Sequence, residues 1–360
     1  MLKLRRGRVA STEPLQVEIA GERRPAWADQ GLVGVCELGD EVVVNTAALD
    51  LGLGSGGFDI VHVNLTRGLQ GRAGPEGAHV MKLNYTSLQH PVQPVEPVEP
   101  VEPDGQAGAE ADRAPLDRHP PVLVLPLHGH LAPAAWALSE RRPAAKVGFV
   151  QSSGGALPGA LSRDVDQLRE RGLLDEVISV APCYGGGLEA ISVPGALHAA
   201  AEARGWDVAI VGPGPGILGS ASRYGHGGMA ALESAHSALA LGLPTMLSPR
   251  LSSSDPRPRH RGLSHHTRSV LGLLLSGVGV AVPSELEELW PEDREPGALR
   301  AACGERHREL VESADLEAYA ASGLPRRTMG RDLERDRLFF AAPLAAGAAL
   351  GRLPTQPEHA

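Results

Sequence analysis

At 360 residues the chain is longer than one average domain and suits two. Its 34 Lys and Arg against 43 Asp and Glu leave a formal charge of −9, which argues against a protein that coats nucleic acid or an anionic membrane. Hydrophobic residues make up 42%, too many for a disordered chain, while four each of Phe, Trp and Tyr are too few for stacking along single-stranded nucleic acid.

Residues 1–88 read as a small β-barrel of the SH3-like or OB kind. LQVEI and RRPAWA flank Ala20-Gly21-Glu22 as a hairpin, and EVVVN and FDIVHVNL supply further strands. Lys3, Arg5, Arg6 and Arg8 make this segment the one place where a nucleic-acid partner is conceivable. The run Gly52–Gly57 precedes a strand rather than a helix, so it is a loop and not a dinucleotide fingerprint; NAD is disfavoured. Residues 91–119 read as a Pro-Val-Glu spacer in extended polyproline form.

From residue 120 to 360 the pattern becomes α/β. Six apolar runs, in VLVLPLHGH, KVGFVQSS, EVISVAP, DVAIVG, PTMLSP and GVGVAVP, alternate with helical stretches. That alternation predicts a parallel, doubly wound sheet of about six strands. The tail is expected to be helical over Leu299–Ser322 and Asp332–Leu350, with Pro343 and the short span ruling out a membrane crossing there. The N-terminus lacks the uninterrupted apolar core of a signal peptide, and Cys36, Cys183 and Cys303 form no C-x-x-C pair. A reducing cytoplasm without a membrane partner is the expectation, and a thiolate zinc site or disulfide framework is not.

In an open parallel sheet, ligands bind beyond the carboxyl ends of the strands. Those ends carry every unusual segment of this half: His128-Gly129-His130, Ser152-Ser153-Gly154-Gly155, Cys183-Tyr184 with Glu189, GPGPGILGSASRYGHGG and SSSDPRPRHRGLSHHT. The densest is Arg259-His260-Arg261-Gly262-Leu263-Ser264-His265-His266-Thr267. Its imidazoles suit proton transfer or metal ligation, and its guanidinium forks suit phosphate or carboxylate. His265, His266 and His260 are the catalytic candidates; Arg259 and Arg261, with the backbone of Gly214, Gly216 and Gly219, are the anion-binding candidates. Thr267 is the expected cap of the following helix.

Adjacent histidines usually send only one side chain to a given site, so a divalent metal needs partners from elsewhere. His128 and Asp255 with His265 are the leading set, and His130, His226 and Glu189 are further candidates. QSSGGA around Ser152 and Ser153 lacks the G-x-S-x-G elbow of a serine hydrolase. Cys183 reads better as a buried structural thiol than as a nucleophile, and His198, His236 and Glu233 as ordinary helix residues.

The chain also resembles a conserved bacterial protein family of unknown function. The resemblance rests on Asn45-Thr46 with DLGLGSGG, HVMKLNYTSLQ, GGALPGALSR, GPGILG, RHRGLSHHT, and Thr328-Met329-Gly330-Arg331 followed by Leu338-Phe339-Phe340. It covers nearly all the chain except the spacer. It implies a shared architecture, brings no activity with it, and draws attention to Lys82. Two functions follow as expectations. One is an enzyme acting on a small anionic, phosphorylated or carboxylated metabolite; the other is a non-catalytic ligand sensor whose barrel contacts a partner such as RNA.

Overall fold

The computed structural model describes residues 2–54, 56–70, 74–96 and 116–354, and the chain divides into two compact units, 1–93 and 94–360. In the first unit, β1 (Leu4–Thr12), β2 (Leu15–Ile19), β3 (Glu22–Trp27), β4 (Glu41–Asn45) and β5 (Asp59–Asn64) close into a barrel in the order β1-β2-β3-β5-β4. The short helices α1 (Gln30–Val33) and α2 (Ala47–Asp50) lie between its strands. The two-residue period of the strands turns Val9, Val17, Ile19, Val42, Val44 and Val61 inward. Gly7 is required where β1 crosses β2, because a Cβ there would stand 2.6 Å from the Val17 side chain.

The basic residues at the start of the barrel already have carboxylate partners. Lys3 and Arg5 face Asp50, and Arg6 and Arg8 face Glu41. A hairpin of β6 (Val80–Lys82) and β7 (His90–Val92) follows, and Lys82 is buried. Ser55, within the Gly52–Gly57 loop, lies outside the described residues, as do residues 97–115 of the expected spacer. The start of that spacer is ordered by specific bonds. The Val95 N–H donates to the Glu189 carbonyl, and the Glu96 carboxylate accepts from the N–H groups of Ile191 and Ser192.

The second unit contains β8 (Val122–Val124), β9 (Val147–Ser152), β10 (Glu176–Val180), β11 (Leu188–Ala190), β12 (Val208–Pro213), β13 (Thr245–Leu247), β14 (Leu251–Ser252), β15 (Gly262–Leu263), β16 (Gly279–Pro283), β17 (Arg308–Glu312), β18 (Arg327–Thr328) and β19 (Arg331–Asp332). Eight of these form one all-parallel sheet, ordered β11-β10-β9-β12-β8-β13-β16-β17. The six expected strands are therefore all present, and the sheet gains β11 and β17 at its two edges. The helix expected over Leu299–Ser322 is instead helix, strand and helix. β17 has a single neighbour, and its Arg308, Glu309 and Glu312 make it polar enough to imitate a surface helix.

Helices cover both faces of the sheet, which is why its inner strands read as unbroken apolar runs. On one face, Leu123, Phe149 and Ile210 pack with α3 (Leu131–Arg141), α4 (Arg163–Glu170) and the later α11 (Arg337–Arg352). On the other, Val122, Val150 and Val211 pack with α5 (Val193–Glu202), α6 (Ala230–Ala240) and α7 (His265–Leu273). The short α8 (Leu286–Leu289), α9 (Ala298–Cys303) and α10 (Leu316–Ala321) complete the set. Residues 338–350 of α11 are all buried. Gly347 lets this helix approach α3 so closely that a Cβ would stand 2.1 Å from the Ala134 carbonyl oxygen. Among the described residues no helix is long and apolar enough to cross a membrane.

Candidate functional site

The connections leaving the neighbouring strands β8 and β12 go to opposite faces of the sheet, one into α3 and the other towards α6. Loops must part there, and they leave a hollow at the carboxyl ends of the strands. A cleft of about 600 Å³ occupies that place. Its walls are Leu127 to Gly129 after β8, Asp164 at the start of α4, Pro215 to Ser220 after β12, Arg250, Pro256, Arg257, Arg259 and His260 after β13, His266 on α7, and Arg327 to Met329 with Arg331 around β18 and β19.

The glycine loop contributes in two ways. Gly216, at φ +72 with open space around it, and Gly219 line the cleft. Gly214 does not; it is buried where a Cβ would meet the Ala156 carbonyl oxygen at 2.3 Å, so it serves close packing.

The histidine-rich segment is held by a small ribbon. β14 and β15 pair antiparallel, and the loop between them carries Asp255, Arg257, Arg259, His260 and Arg261. Ser264 then caps α7 by accepting from the His266 N–H, and its hydroxyl also meets His260 Nδ1 at 2.8 Å. Ser264, not Thr267, is therefore the cap; Thr267 Oγ1 accepts from the Arg250 N–H at 2.8 Å and ties α7 to the end of β13.

Five guanidinium groups line the cleft, those of Arg250, Arg257, Arg259, Arg327 and Arg331, against the single carboxylate of Asp164. Asp255 lies behind them, fully buried, with Arg257 at 2.8 Å, Arg331 at 3.2 Å and Arg250 at 3.7 Å. Burial alone would raise its carboxyl, but the hydrogen bonds and charge of Arg257, with Arg331, hold it down at about 2. Arg331 also bonds Asp336, whose carboxylate accepts from Ser252 and Ser253. Arg259 and Arg327 have no carboxylate partner among the described residues. Burial, reinforced by Arg257, brings Arg250 down to about 10.

Four imidazoles meet beside this wall. The His226 ring lies parallel to that of His266 at 3.7 Å and edge-on to His265 at 5.1 Å. The His260 centroid is 4.9 Å from that of His265 and 4.8 Å from that of His266. One nitrogen from each of His226, His265 and His266 lies within 4.8 Å of the others, so both adjacent histidines reach one point. The ring of His226 achieves this by filling the angle between two side chains that diverge at the start of α7. His266 and His260 line the cleft, whereas His265 turns towards a smaller hollow on the other side of the loop, with Arg261 and Trp290.

Burial is the main cause that lowers all four imidazoles. With the Arg250 charge it pushes His260 down to about 3; with His226 it pushes His265 down to about 4. His266 and His226 are likewise lowered, burial first and the Arg250 charge contributing.

The other candidates have different places. His128 lines the cleft, with Nδ1 3.0 Å from the Pro213 carbonyl and Nε2 2.7 Å from Ser162 Oγ. It does not share a donor group with His265 or Asp255; the carboxylate of Asp255 is held by arginines. Arg261 also faces away from the cleft, towards Asp293 at 3.3 Å and the Ser253 carbonyl. His130 is buried against Phe339 with Nδ1 2.8 Å from Ser248 Oγ. Glu189 accepts from the Gly185 N–H. Ser152 and Cys183 are buried, with the Cys183 thiol 3.2 Å from the Ser152 carbonyl oxygen, while Ser153 lines a separate shallow hollow. His198 and Glu233 are exposed, and His236 Nε2 accepts from the Leu275 N–H.

Of the five cleft arginines, only Arg259 stands out in the sequence as a binding group; Arg250, Arg257, Arg327 and Arg331, with Asp164, do not, and only the fold brings them to the histidine loop. No curated protein and no solved structure matches this chain. The family model described as "Protein of unknown function (DUF3866)" matches residues 25–347, and the chain belongs to that family.

Proposed function

We propose that the protein is an enzyme that binds a small phosphorylated or carboxylated metabolite in the cleft at the carboxyl edge of its sheet. The observation that carries this reading is the imbalance of five guanidinium groups over one carboxylate in a hollow of about 600 Å³, a volume suited to a small ligand. Arg259 and Arg327 supply charge that no described carboxylate neutralises, and guanidinium forks match phosphate and carboxylate oxygens two at a time. The exposed glycine backbone at Gly216 and Gly219 lets a ligand approach closely.

His260 is the proton-transfer group in this reading. Its ring lines the cleft beside the arginines, with Nδ1 2.8 Å from Ser264 Oγ. An anion seated among the arginines would offset the positive charge that now helps depress it, moving it towards the range useful in catalysis.

The test is titration calorimetry of the full chain with pyrophosphate and citrate, repeated on the double variant Arg259→Met/Arg327→Met. Each lost charge-assisted contact is worth about 1.5–3 kcal/mol, so the variant should bind at least ~100-fold more weakly. No heat and no thermal stabilisation with either anion at millimolar concentration, or equal binding by the double variant, overturns the reading. Given a bound anion, turnover of phosphate esters by the wild type and its loss in His260→Gln test the chemical step.

A further inference from the structure

We propose that His226, His265 and His266 together hold one divalent transition-metal ion of the zinc class. The inference is independent of which anion enters the cleft, because it stands on the nitrogen atoms themselves. His226 Nε2 lies 3.1 Å from the Arg223 carbonyl, which fixes the tautomer with the proton on Nε2. Its Nδ1 is then left with a bare lone pair, and that nitrogen is buried without a partner among the described residues. His265 Nε2 is buried and unpartnered in the same way. Two such nitrogens on imidazoles whose centroids lie 5.1 Å apart, from segments about forty residues apart, are a costly arrangement for a core and a normal one for a ligand set.

His266 completes the group. A Cβ on Gly228 would approach Nδ1 of both His226 and His266 at 3.0 Å, so the absence of a side chain there keeps the space in front of these two nitrogens open. His266 Nδ1 accepts from Arg250 Nη1 at 3.2 Å; a metal taking that lone pair would release the guanidinium towards the cleft that Arg250 already lines.

The donors lie within 4.8 Å of one another. Nitrogens at the zinc distance on a tetrahedron are about 3.3 Å apart, so ring rotations of an ångström or so close the set. His265 is only partly buried and opens its helix, which gives it that freedom. Three imidazoles leave the fourth position for water or for an oxygen of the anion, as in zinc sites that perform chemistry. Imidazole donors without thiolates suit Zn²⁺ and Co²⁺ and disfavour Mg²⁺ and Ca²⁺.

The full chain, stripped by chelator dialysis, is titrated with Zn²⁺ alone and with Co²⁺ alone. One Zn²⁺ per chain and an intense visible Co²⁺ spectrum of low coordination number are expected. His226→Gln and His265→Gln should each weaken Zn²⁺ binding by about 100-fold or more, beyond the loss typical of a supporting group, while His198→Gln on an exposed helix face changes nothing. Circular dichroism without metal separates lost ligation from lost folding. Failure of the wild-type chain to bind Zn²⁺ overturns the proposal, whatever the variants do. Full affinity in either folded His→Gln variant also overturns it.

Discussion

Replacing Asp255 by Asn removes the one carboxylate that Arg257, Arg331 and Arg250 share. Its Oδ2 lies 2.8, 3.2 and 3.7 Å from their guanidinium nitrogens, and its side chain is fully buried. Breaking a buried pair costs about 3–5 kcal/mol, because the remaining charges lose their counter-ion without regaining water. Part of that loss can be read from protonation. The Asp255 carboxyl drops from 3.8 to about 2 on folding, which corresponds to about 2 kcal/mol. Since the folded value is the lower one, this contribution is complete above the unfolded value. It disappears as pH falls through the folded one.

The assay is urea unfolding followed by tryptophan fluorescence, which reports mainly on the second unit because Trp136, Trp206 and Trp290 all belong to it. At neutral pH the variant should be less stable by about 3 kcal/mol, and the gap should narrow steadily as pH is lowered from 5 towards 2.5. A variant within 1 kcal/mol of the wild type at neutral pH, or a gap that stays constant with acid, would refute the reasoning.

Three further outcomes follow from the geometry. Gly347→Ala should destabilise the second unit by about 2 kcal/mol in thermal unfolding, because the collision with the Ala134 carbonyl outweighs the ~1 kcal/mol gain in helix propensity; an unchanged melting temperature would contradict the close approach of α11 to α3. Gly216→Asn should be tolerated better than Gly216→Val, since the space is open and only the positive φ resists a side chain; equal melting temperatures would remove that explanation. Arg259→Met and Arg327→Met should leave the melting temperature of the unliganded chain within about 2 °C of wild type while weakening pyrophosphate binding, as expected of arginines that no described carboxylate holds; a large drop in stability would assign them a structural role instead.

The strands of the inner sheet were legible because each is buried on both faces, so runs such as Val122–Val124 and Val208–Pro213 are apolar without alternation. The edges were not. β11 is three residues long and follows three glycines, and β17 carries Arg308, Glu309 and Glu312, whose polarity belongs to an edge but equally fits a helix. β1 was obscured for a similar reason, its arginines being exposed.

In the site, the concentration of histidine between Arg259 and Thr267 and the glycines after β12 are visible in the chain, and the cleft unites parts of both. Their division into two sides is not visible. Arg259 and Arg261 are two residues apart, and the backbone sends one to the cleft and the other to Asp293. Nor could spacing reveal that His226 would lie flat on His266, since that contact depends on a loop folding back over a helix start.

The position of α11 has a consequence for biosynthesis. A ribosome releases the sheet strands long before it releases residues 337–352, yet Leu123 and Phe149 on one face, and Val122 and Val280 on the other, share apolar clusters with that helix. Arg331 and Asp336, which brace the arginine wall, emerge only just ahead of it. The greasy faces of the nascent sheet therefore stay partly uncovered until residues 337–352 have been made. Premature termination upstream of Arg337 would yield a product that chaperones retain and proteases remove, rather than a shortened but working protein.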